Sequence, residues 1–160
     1  MKLLIEGRTL SDAIKAYTAK GGQMESVYPT EPEDYDILKN AIKNSVITLD
    51  KDIYRGVYFK SKDWEDYFYR WYDGEKVPFK FHAFNSFTYD KHRVFSYGNG
   101  GDFAIRLIIP KGTTLHAIDI QDESIYPEEE EVLVGDIDKF YIYNIDIIRY
   151  SSSDVYLKTQ

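Results

Sequence analysis

The sequence predicts an α+β protein with mainly antiparallel sheets. Segments with helical spacing occupy the early part of the chain, whereas β-branched and aromatic segments follow one another through the second half. Helices that precede the strands, rather than alternating with them, favour this class. With 160 residues and 43% hydrophobic content, the chain can bury a sizeable core. We therefore predict one domain over residues 1–160, helical in residues 1–50 and β-rich in residues 51–160.

Two helices are predicted before residue 50. The first spans residues 11–20, with Ser11 as its capping residue and Gly21-Gly22 as its stop. The second opens at Glu31-Pro32-Glu33, where proline occupies the first turn and acids lie near the positive end of the helix dipole. Helical spacing then places three apolar side chains on one face: Tyr35, Leu38 and Ile42.

A third helix is predicted over residues 61–72, with Asp63 as its N-cap. Its apolar stripe indicates core packing rather than a cofactor site, and consists of Trp64, Tyr67, Phe68 and Trp71. Runs of β-branched and aromatic residues bounded by turns predict strands at residues 53–58, 79–88, 103–109, 114–118, 131–134, 140–148 and 155–158.

Composition argues against several kinds of function without excluding a role on nucleic acid. The net charge of -7 is opposite to that of a nucleic-acid-binding surface, so nucleic acid is not expected as a partner. The absence of cysteine rules out disulfides, thiolate metal sites and a cysteine nucleophile. His82, His92 and His116 are scattered without metal-ligand spacing, so no metal is predicted. No signal peptide and no apolar run of roughly 20 residues is present, which predicts a cytoplasmic protein without membrane contact.

The first motif with chemical potential is an arginine inside an apolar strand, at residues 52–57. A charged group there is costly unless an anion meets it, and the guanidinium fork of Arg55 suits a diphosphate or a carboxylate. Gly56 beside it allows a ligand to approach the backbone. Taken alone, the motif favours an arginine paired with an acid of the protein itself.

The second motif is the strand segment Phe84-Asn85-Ser86-Phe87-Thr88. Strand alternation places Ser86 and Thr88 on one face, together with Phe84. Hydroxyls there can orient a carboxylate or contact a ligand. By itself, this pattern favours an ordinary edge strand.

The third motif is a run of four glutamates, residues 128–131, that leads into an apolar strand. If the run is extended, Glu129 and Glu131 share one face, and Glu128 and Glu130 share the other. Two carboxylates side by side at the start of a strand are a common catalytic arrangement, although a solvated acidic turn is the alternative interpretation. Periodicity does not choose between the two registers.

In this order and spacing, the three motifs resemble the Arg–Ser–Glu class of mono-ADP-ribosyltransferases. This class includes binary clostridial toxins, vertebrate ecto-enzymes and T-even bacteriophage enzymes. The matching segments are Tyr54-Arg55-Gly56, Ser86-Phe87-Thr88 and Glu129-Glu130-Glu131-Val132-Leu133. The Val-Leu pair that follows the family's last glutamate selects the register of Glu129 and Glu131, whereas Phe87 departs from the family's usual threonine. The resemblance implies an ADP-ribosyltransferase-like fold, in which two packed, mainly antiparallel sheets form an NAD cleft beside N-terminal helices.

The resemblance also implies an activity, the transfer of ADP-ribose from NAD to arginine side chains of a target protein with release of nicotinamide. NAD would be a substrate, and no metal would be needed. Glu131 would stabilise the oxocarbenium-like transition state at the ribose. Glu129 would orient and deprotonate the acceptor arginine, whose guanidinium is otherwise a poor nucleophile.

The remaining site residues follow from the same resemblance. Arg55 would hold the NAD phosphates or the adjacent ribose, Gly56 would offer its backbone to the nicotinamide carboxamide, and Ser86 would hydrogen-bond Glu131. Tyr126 would join Glu129 in recognising the acceptor. Further contacts to NAD would come from Thr88, Arg93, Phe95 and Tyr97.

Two other functions stay open at this point. An NAD glycohydrolase with the same fold would use water as the acceptor, and an inactive interaction protein would not bind NAD. The target protein is not specified by the sequence; a host protein modified by a phage-encoded or bacterial enzyme is the expectation.

Overall fold

A computed structural model of the chain describes residues 7–19, 32–79, 84–93, 103–135, 140–149 and 152–159. These residues form three α-helices and nine β-strands, which confirms the predicted α+β class. The helices are α1 (Leu10–Ala19), α2 (Pro32–Lys43) and α3 (Ser61–Tyr72). The strands are β1 (Val46–Thr48), β2 (Ile53–Phe59), β3 (Pro78–Phe79), β4 (Phe84–Thr88), β5 (Phe103–Ile109), β6 (Thr114–Asp119), β7 (Glu131–Gly135), β8 (Phe140–Arg149) and β9 (Ser152–Thr159). Two short 3-10 helices lie at Lys91–Arg93 and Pro127–Glu129.

The chain divides into two compact units. The first contains Met1–Thr48, Phe81–Phe87 and Thr114–Ile137. The second contains Leu49–Lys80, Thr88–Thr113 and Asp138–Gln160. A single catalytic domain over the whole chain stays a prediction.

The first unit packs α1 and α2 against strands in the order β1-β6-β7-β4. β6 is antiparallel to both neighbours, pairing Val46 with His116 and Ile118 with Leu133. The core cluster consists of apolar side chains from both helices, from the residue that follows β6 and from the middle of β7: Ala13, Ile14, Tyr17, Ile37, Leu38, Ile42, Ile120 and Leu133. Because β7 lies between β6 and β4, its position is fixed from both sides.

Helix α1 begins with a reciprocal pair of hydrogen bonds. The Asp12 amide donates to Thr9 Oγ1 at 3.1 Å, and the Thr9 amide donates to Asp12 Oδ2 at 3.0 Å. Hydrogen bonding of the Asp12 carboxylate to Thr9, first to its backbone amide and then to its side chain, lowers the pKa of Asp12. The prediction of Ser11 as the cap is therefore wrong, because Thr9 lies ahead of the helix and Asp12 is three residues further on.

Helix α2 begins at Pro32, as predicted. The predicted apolar face is confirmed, since Leu38 and Ile42 are buried and Tyr35 packs beside them. The fully buried carboxylate of Asp34 accepts a forked hydrogen bond from Arg8 at 2.8–2.9 Å. This ion pair joins the start of α2 to the segment before α1.

The second unit has the strand order β2-β5-β9-β8-β3. Among the described pairs only β5 and β9 run parallel, so the sheet is mainly antiparallel as predicted. Thr88, the last residue of β4, belongs to this unit and pairs with Tyr54. The guanidinium of Arg106 on β5 forms two hydrogen bonds of 2.8–2.9 Å with Asp154 on β9, and both side chains are largely buried.

Helix α3 closes the core of the second unit with aromatic rings. Trp64 is 5% exposed, and its ring centroid lies 6.4 Å from those of both Phe59 and Phe103. Tyr67 stacks on Phe79 at 5.3 Å, so the predicted role of the stripe in packing is confirmed. The prediction of Asp63 as the N-cap is wrong: the cap is Lys60, without a side-chain hydrogen bond, and Asp63 lies inside the first turn.

The strand predictions hold except at three places. One is the last strand, β9, which begins at Ser152 rather than at the predicted residue 155. The expected strand at residues 79–88 is divided, because β3 ends at Phe79 and β4 begins at Phe84. The short strand β1 was not predicted, since three residues are too few for a period of two to show. In the part of the chain that the structure describes, no helix is long and apolar enough to cross a membrane.

Candidate active site

Glu131 is a buried carboxylate at the head of an apolar strand. It is the first residue of β7 and is 6% exposed, and Val132, Leu133 and Val134 after it are fully buried. Its backbone carbonyl accepts a hydrogen bond from the Ile120 amide at 3.1 Å, and this bond joins the two ends of the connection between β6 and β7. The strand therefore gives the carboxylate a fixed direction.

Ser86 on β4 holds that carboxylate from the neighbouring strand. Its hydroxyl donates a hydrogen bond to Glu131 Oε2, across 45 residues of sequence. A hydroxyl that donates to a carboxylate forms a charge-assisted bond, which is stronger than one between neutral groups. The contact that the resemblance implied between these two residues is thus present.

The alternation of β4 explains the departure at Phe87. Asn85 and Phe87 are each 1% exposed, whereas Ser86 between them is half-buried. Successive side chains of a strand point to opposite faces, so Phe87 points away from the face on which Ser86 meets Glu131. The Phe87 ring packs in the core, so its size does not affect the contact between Ser86 and Glu131.

The geometry of the glutamate run differs from the sequence expectation. Pro127–Glu129 forms a 3-10 helix, and Glu130 has the left-handed backbone angles φ 50° and ψ 49°. Only Glu131 of the run belongs to the strand. The argument that strand alternation places Glu129 and Glu131 on one face is therefore wrong, because the chain is still turning at Glu129.

The turn at residues 121–130, here called the acceptor turn after the role predicted for Tyr126 and Glu129, has a compact hydrogen-bonded backbone. The amides of Glu123 and Ser124 donate to the Ile120 carbonyl at 3.2 and 2.9 Å. The Tyr126 amide donates to Ser124 Oγ at 2.9 Å, and the Glu129 amide donates to the Tyr126 carbonyl at 3.0 Å. Glu129 is half-buried and Glu128 is exposed, while Tyr126 is 43% exposed at the surface of the turn.

Arg55 and Gly56 lie in the second unit, on β2. Arg55 is opposite Leu107, which is level with Val155, and both of these apolar residues are fully buried. Arg55 therefore projects on the buried face of the sheet, with its Nε atom buried. Gly56 is exposed and lies opposite Arg106 on the other face.

The structure describes only some of the other residues that were predicted to contact NAD. Thr88 Oγ1 accepts the Asp90 amide at 3.0 Å, and Asp90 Oδ1 accepts the His92 amide at 3.0 Å. These bonds lead from β4 into the 3-10 helix that contains Arg93. Phe95 and Tyr97 lie outside the described residues. The roles assigned to all four in binding NAD stay predictions.

A metal centre finds no support in the part of the chain that is described. No group of three or more His, Asp or Glu side chains there could hold an ion. His116 is half-buried on β6 and His92 is exposed, whereas His82 lies outside the described residues.

Comparison with known proteins finds similarity in structure but not in sequence. No protein-family model matches the sequence, and no curated protein is significantly similar to it. The C3 exoenzyme of Clostridium limosum matches 94% of this chain with 84% of its own, at a TM-score of 0.63 and 12% identity. An ADP-ribosyltransferase of Clostridium botulinum matches 94% with 85% of its own, at a TM-score of 0.61 and 14% identity. The chain has the ADP-ribosyltransferase fold.

A third ADP-ribosyltransferase, the Vis toxin of Vibrio splendidus, matches 94% of this chain with 72% of its own, at a TM-score of 0.60 and 14% identity. The fold implied by the three sequence motifs is therefore confirmed. A shared fold positions a site but does not supply its chemistry, which depends on particular side chains. In this chain, Glu131 and Ser86, two of the predicted catalytic residues, contact each other, and their roles in catalysis stay predictions.

Phe87→Thr, which introduces the residue usual in the resembling family, is expected to destabilise the protein by about 3 kcal/mol or more. The change removes a fully buried ring and leaves a cavity and a hydroxyl in its place. Phe87→Leu fills more of the space and is expected to cost less. Urea unfolding of both variants measures the difference, and equal stability of Phe87→Thr and wild type would contradict the core role of this ring.

Proposed function

We propose that this chain is a mono-ADP-ribosyltransferase that moves ADP-ribose from NAD to arginine side chains of a target protein. One observation carries the proposal: a buried carboxylate at the head of a strand, oriented by a serine on the neighbouring strand, in a chain with the ADP-ribosyltransferase fold.

Glu131 would act at the ribose of NAD. Cleavage of the bond between nicotinamide and ribose develops positive charge on the sugar, and a carboxylate placed beneath it stabilises that charge. Burial strengthens this attraction, because little water screens it. Ser86 holds Oε2 and thereby fixes the direction of the whole carboxylate group before substrate arrives.

The reaction balances without a further reagent. The carbon–nitrogen bond to nicotinamide breaks, and its electron pair leaves with nicotinamide, which becomes neutral. A guanidinium nitrogen of the acceptor forms the new bond to the same ribose carbon and loses one proton. Glu129 would receive that proton, since it lies in the acceptor turn two residues before Glu131.

Three observations support arginine as the acceptor. A guanidinium group needs a carboxylate to orient and deprotonate it, and Glu129 supplies one in the acceptor turn. The net charge of -7 favours approach of a cationic segment. In addition, the ADP-ribosyltransferase Vis, which matches 94% of this chain with 74% of its own at a TM-score of 0.58 and 16% identity, has been solved in complex with agmatine, a small guanidinium compound.

Arg55 would bind the phosphates of NAD. Its guanidinium fork matches phosphate oxygens, and the residue is half-buried on the apolar face of β2, with its Nε atom buried. The exposed backbone of Gly56 is available for the nicotinamide carboxamide. Arg93, at the end of a 3-10 helix, would add a second cation for the phosphates.

Incubation with labelled NAD tests this function directly. With agmatine or a host lysate as acceptor, we expect nicotinamide release and label on agmatine or on arginine-containing peptides. Free ADP-ribose with no labelled acceptor would instead identify an NAD glycohydrolase. A protein that neither consumes NAD nor binds it in calorimetry would contradict the proposal and favour an inactive interaction protein.

Glu131→Gln is expected to lower nicotinamide release by about 100-fold or more while leaving the fold intact, because the amide keeps the shape but loses the charge. Glu128→Gln is the matched control: its side chain is exposed in the same run of glutamates, so nicotinamide release should stay close to wild type. Rates and thermal unfolding are measured together for both variants. A wild-type rate for Glu131→Gln would refute the assignment of this carboxylate.

Glu129→Gln is expected to lower transfer to agmatine by roughly 10- to 100-fold, the usual contribution of a general base. Hydrolysis of NAD by water should change by only a few-fold, because water does not need to be oriented as guanidinium does. The two products are quantified in one reaction by chromatography. An equal loss of both would remove the acceptor role of Glu129.

A further inference from the structure

Thr18 connects helix α1 to the acceptor turn. It lies in the last turn of the helix and is 3% exposed. Its Oγ1 accepts a hydrogen bond from the Ile125 amide at 3.3 Å, across 107 residues of sequence. The same hydroxyl donates to the Ile14 carbonyl at 3.0 Å, one helical turn earlier. The helix backbone, the threonine hydroxyl and the turn backbone thus form one chain of hydrogen bonds.

Helix α1 is a firm support for such a bond. Its start is held by the reciprocal bonds of Thr9 and Asp12. Its buried face, with Ile14 and Tyr17, belongs to the core cluster that also contains Leu133 of β7. Helix α1, which contains Thr18, and strand β7, which contains Glu131, therefore pack in the same core of the first unit.

We infer that Thr18 is a positioning residue for the acceptor carboxylate. Thr18 fixes the Ile125 amide; the next residue, Tyr126, presents the carbonyl that accepts the Glu129 amide at 3.0 Å. The bond from Thr18 restrains the backbone at Ile125, and the bond between Tyr126 and Glu129 extends this restraint along the turn. Helix α1 therefore determines where the side chains of Tyr126 and Glu129 are presented. The inference deepens the proposed function and rests on it for its catalytic consequence.

The bond to Ile125 is the part that distinguishes this role from ordinary helix structure. A threonine inside a helix commonly donates to the carbonyl four residues earlier, and that bond needs no partner outside the helix. Here the hydroxyl oxygen also accepts an amide from the acceptor turn. A threonine used only for the helix would leave transfer chemistry unaffected when replaced by a residue of the same shape.

Thr18→Val tests the inference, because valine preserves the shape but neither accepts nor donates a hydrogen bond. Thr18→Ser keeps the hydroxyl and serves as the rescue variant. Thr113→Val is the matched control, since Thr113 Oγ1 donates to the Pro110 carbonyl at 2.7 Å in a turn of the second unit. Two quantities are measured for each: amide hydrogen exchange at Ile125, and the ratio of agmatine transfer to NAD hydrolysis.

For Thr18→Val we expect exchange at Ile125 to become roughly tenfold faster and the ratio of transfer to hydrolysis to fall roughly five- to tenfold, the size of one lost hydrogen bond. Thr18→Ser should restore both quantities most of the way, and Thr113→Val should change neither. Unchanged exchange, or a parallel loss of transfer and hydrolysis, would overturn the inference.

Failure of the proposed function gives a different result. In that case the wild-type protein itself does not label agmatine, whether or not it consumes NAD. The catalytic part of the inference then falls with the proposed function, while exchange at Ile125 in Thr18→Val still decides whether α1 restrains the turn.

Discussion

The hydrogen bond from Ser86 to Glu131 is the interaction on which the candidate site and its proposed chemistry depend. A carboxylate that is 6% exposed at the head of a fully apolar strand is costly to bury, and hydrogen bonding is what makes such burial tolerable. The bond also joins β4 to β7 at the side-chain level, where the backbone ladder alone would not set the direction of the acid. A charged group retained in so apolar a strand breaks the local pattern, and such breaks are expected at functional sites.

The two glutamates near this bond lie in different kinds of backbone, Glu131 in a strand and Glu129 in a turn. The position of Glu131 is set by β7 and by the hydrogen bond from the Ile120 amide to the Glu131 carbonyl. The position of Glu129 is set by a 3-10 helix and by the left-handed residue that follows it. Two acids only two residues apart are thus held by different means. In the proposed reaction this separation suits their tasks, because the ribose carboxylate must be fixed and the acceptor carboxylate must face an incoming side chain.

Much of the fold could be predicted from the sequence, because buried strands and amphipathic helices leave strong patterns. The starts of α2 and β7 were placed correctly by Pro32 and by the apolar run after Glu131. Helix caps were not, since several residues near each helix start can cap and only geometry selects one. The left-handed Glu130 carries no sequence signal, because such a backbone usually requires glycine, and the bond from Ile125 to Thr18 joins residues too distant for any local pattern. For the same reason Ser86 and Glu131 could be paired only through the order of family motifs, and Phe87 could be read as a departure but not as a core residue.

The most direct test of the central claim is a crystal structure of the protein with NAD or a non-cleavable NAD analogue. We expect a Glu131 carboxylate oxygen to lie within about 3 Å of the 2′-hydroxyl of the nicotinamide ribose, with the Ser86 hydroxyl still bonded to Glu131. A nicotinamide ribose bound out of reach of Glu131 would contradict the proposed role of this carboxylate.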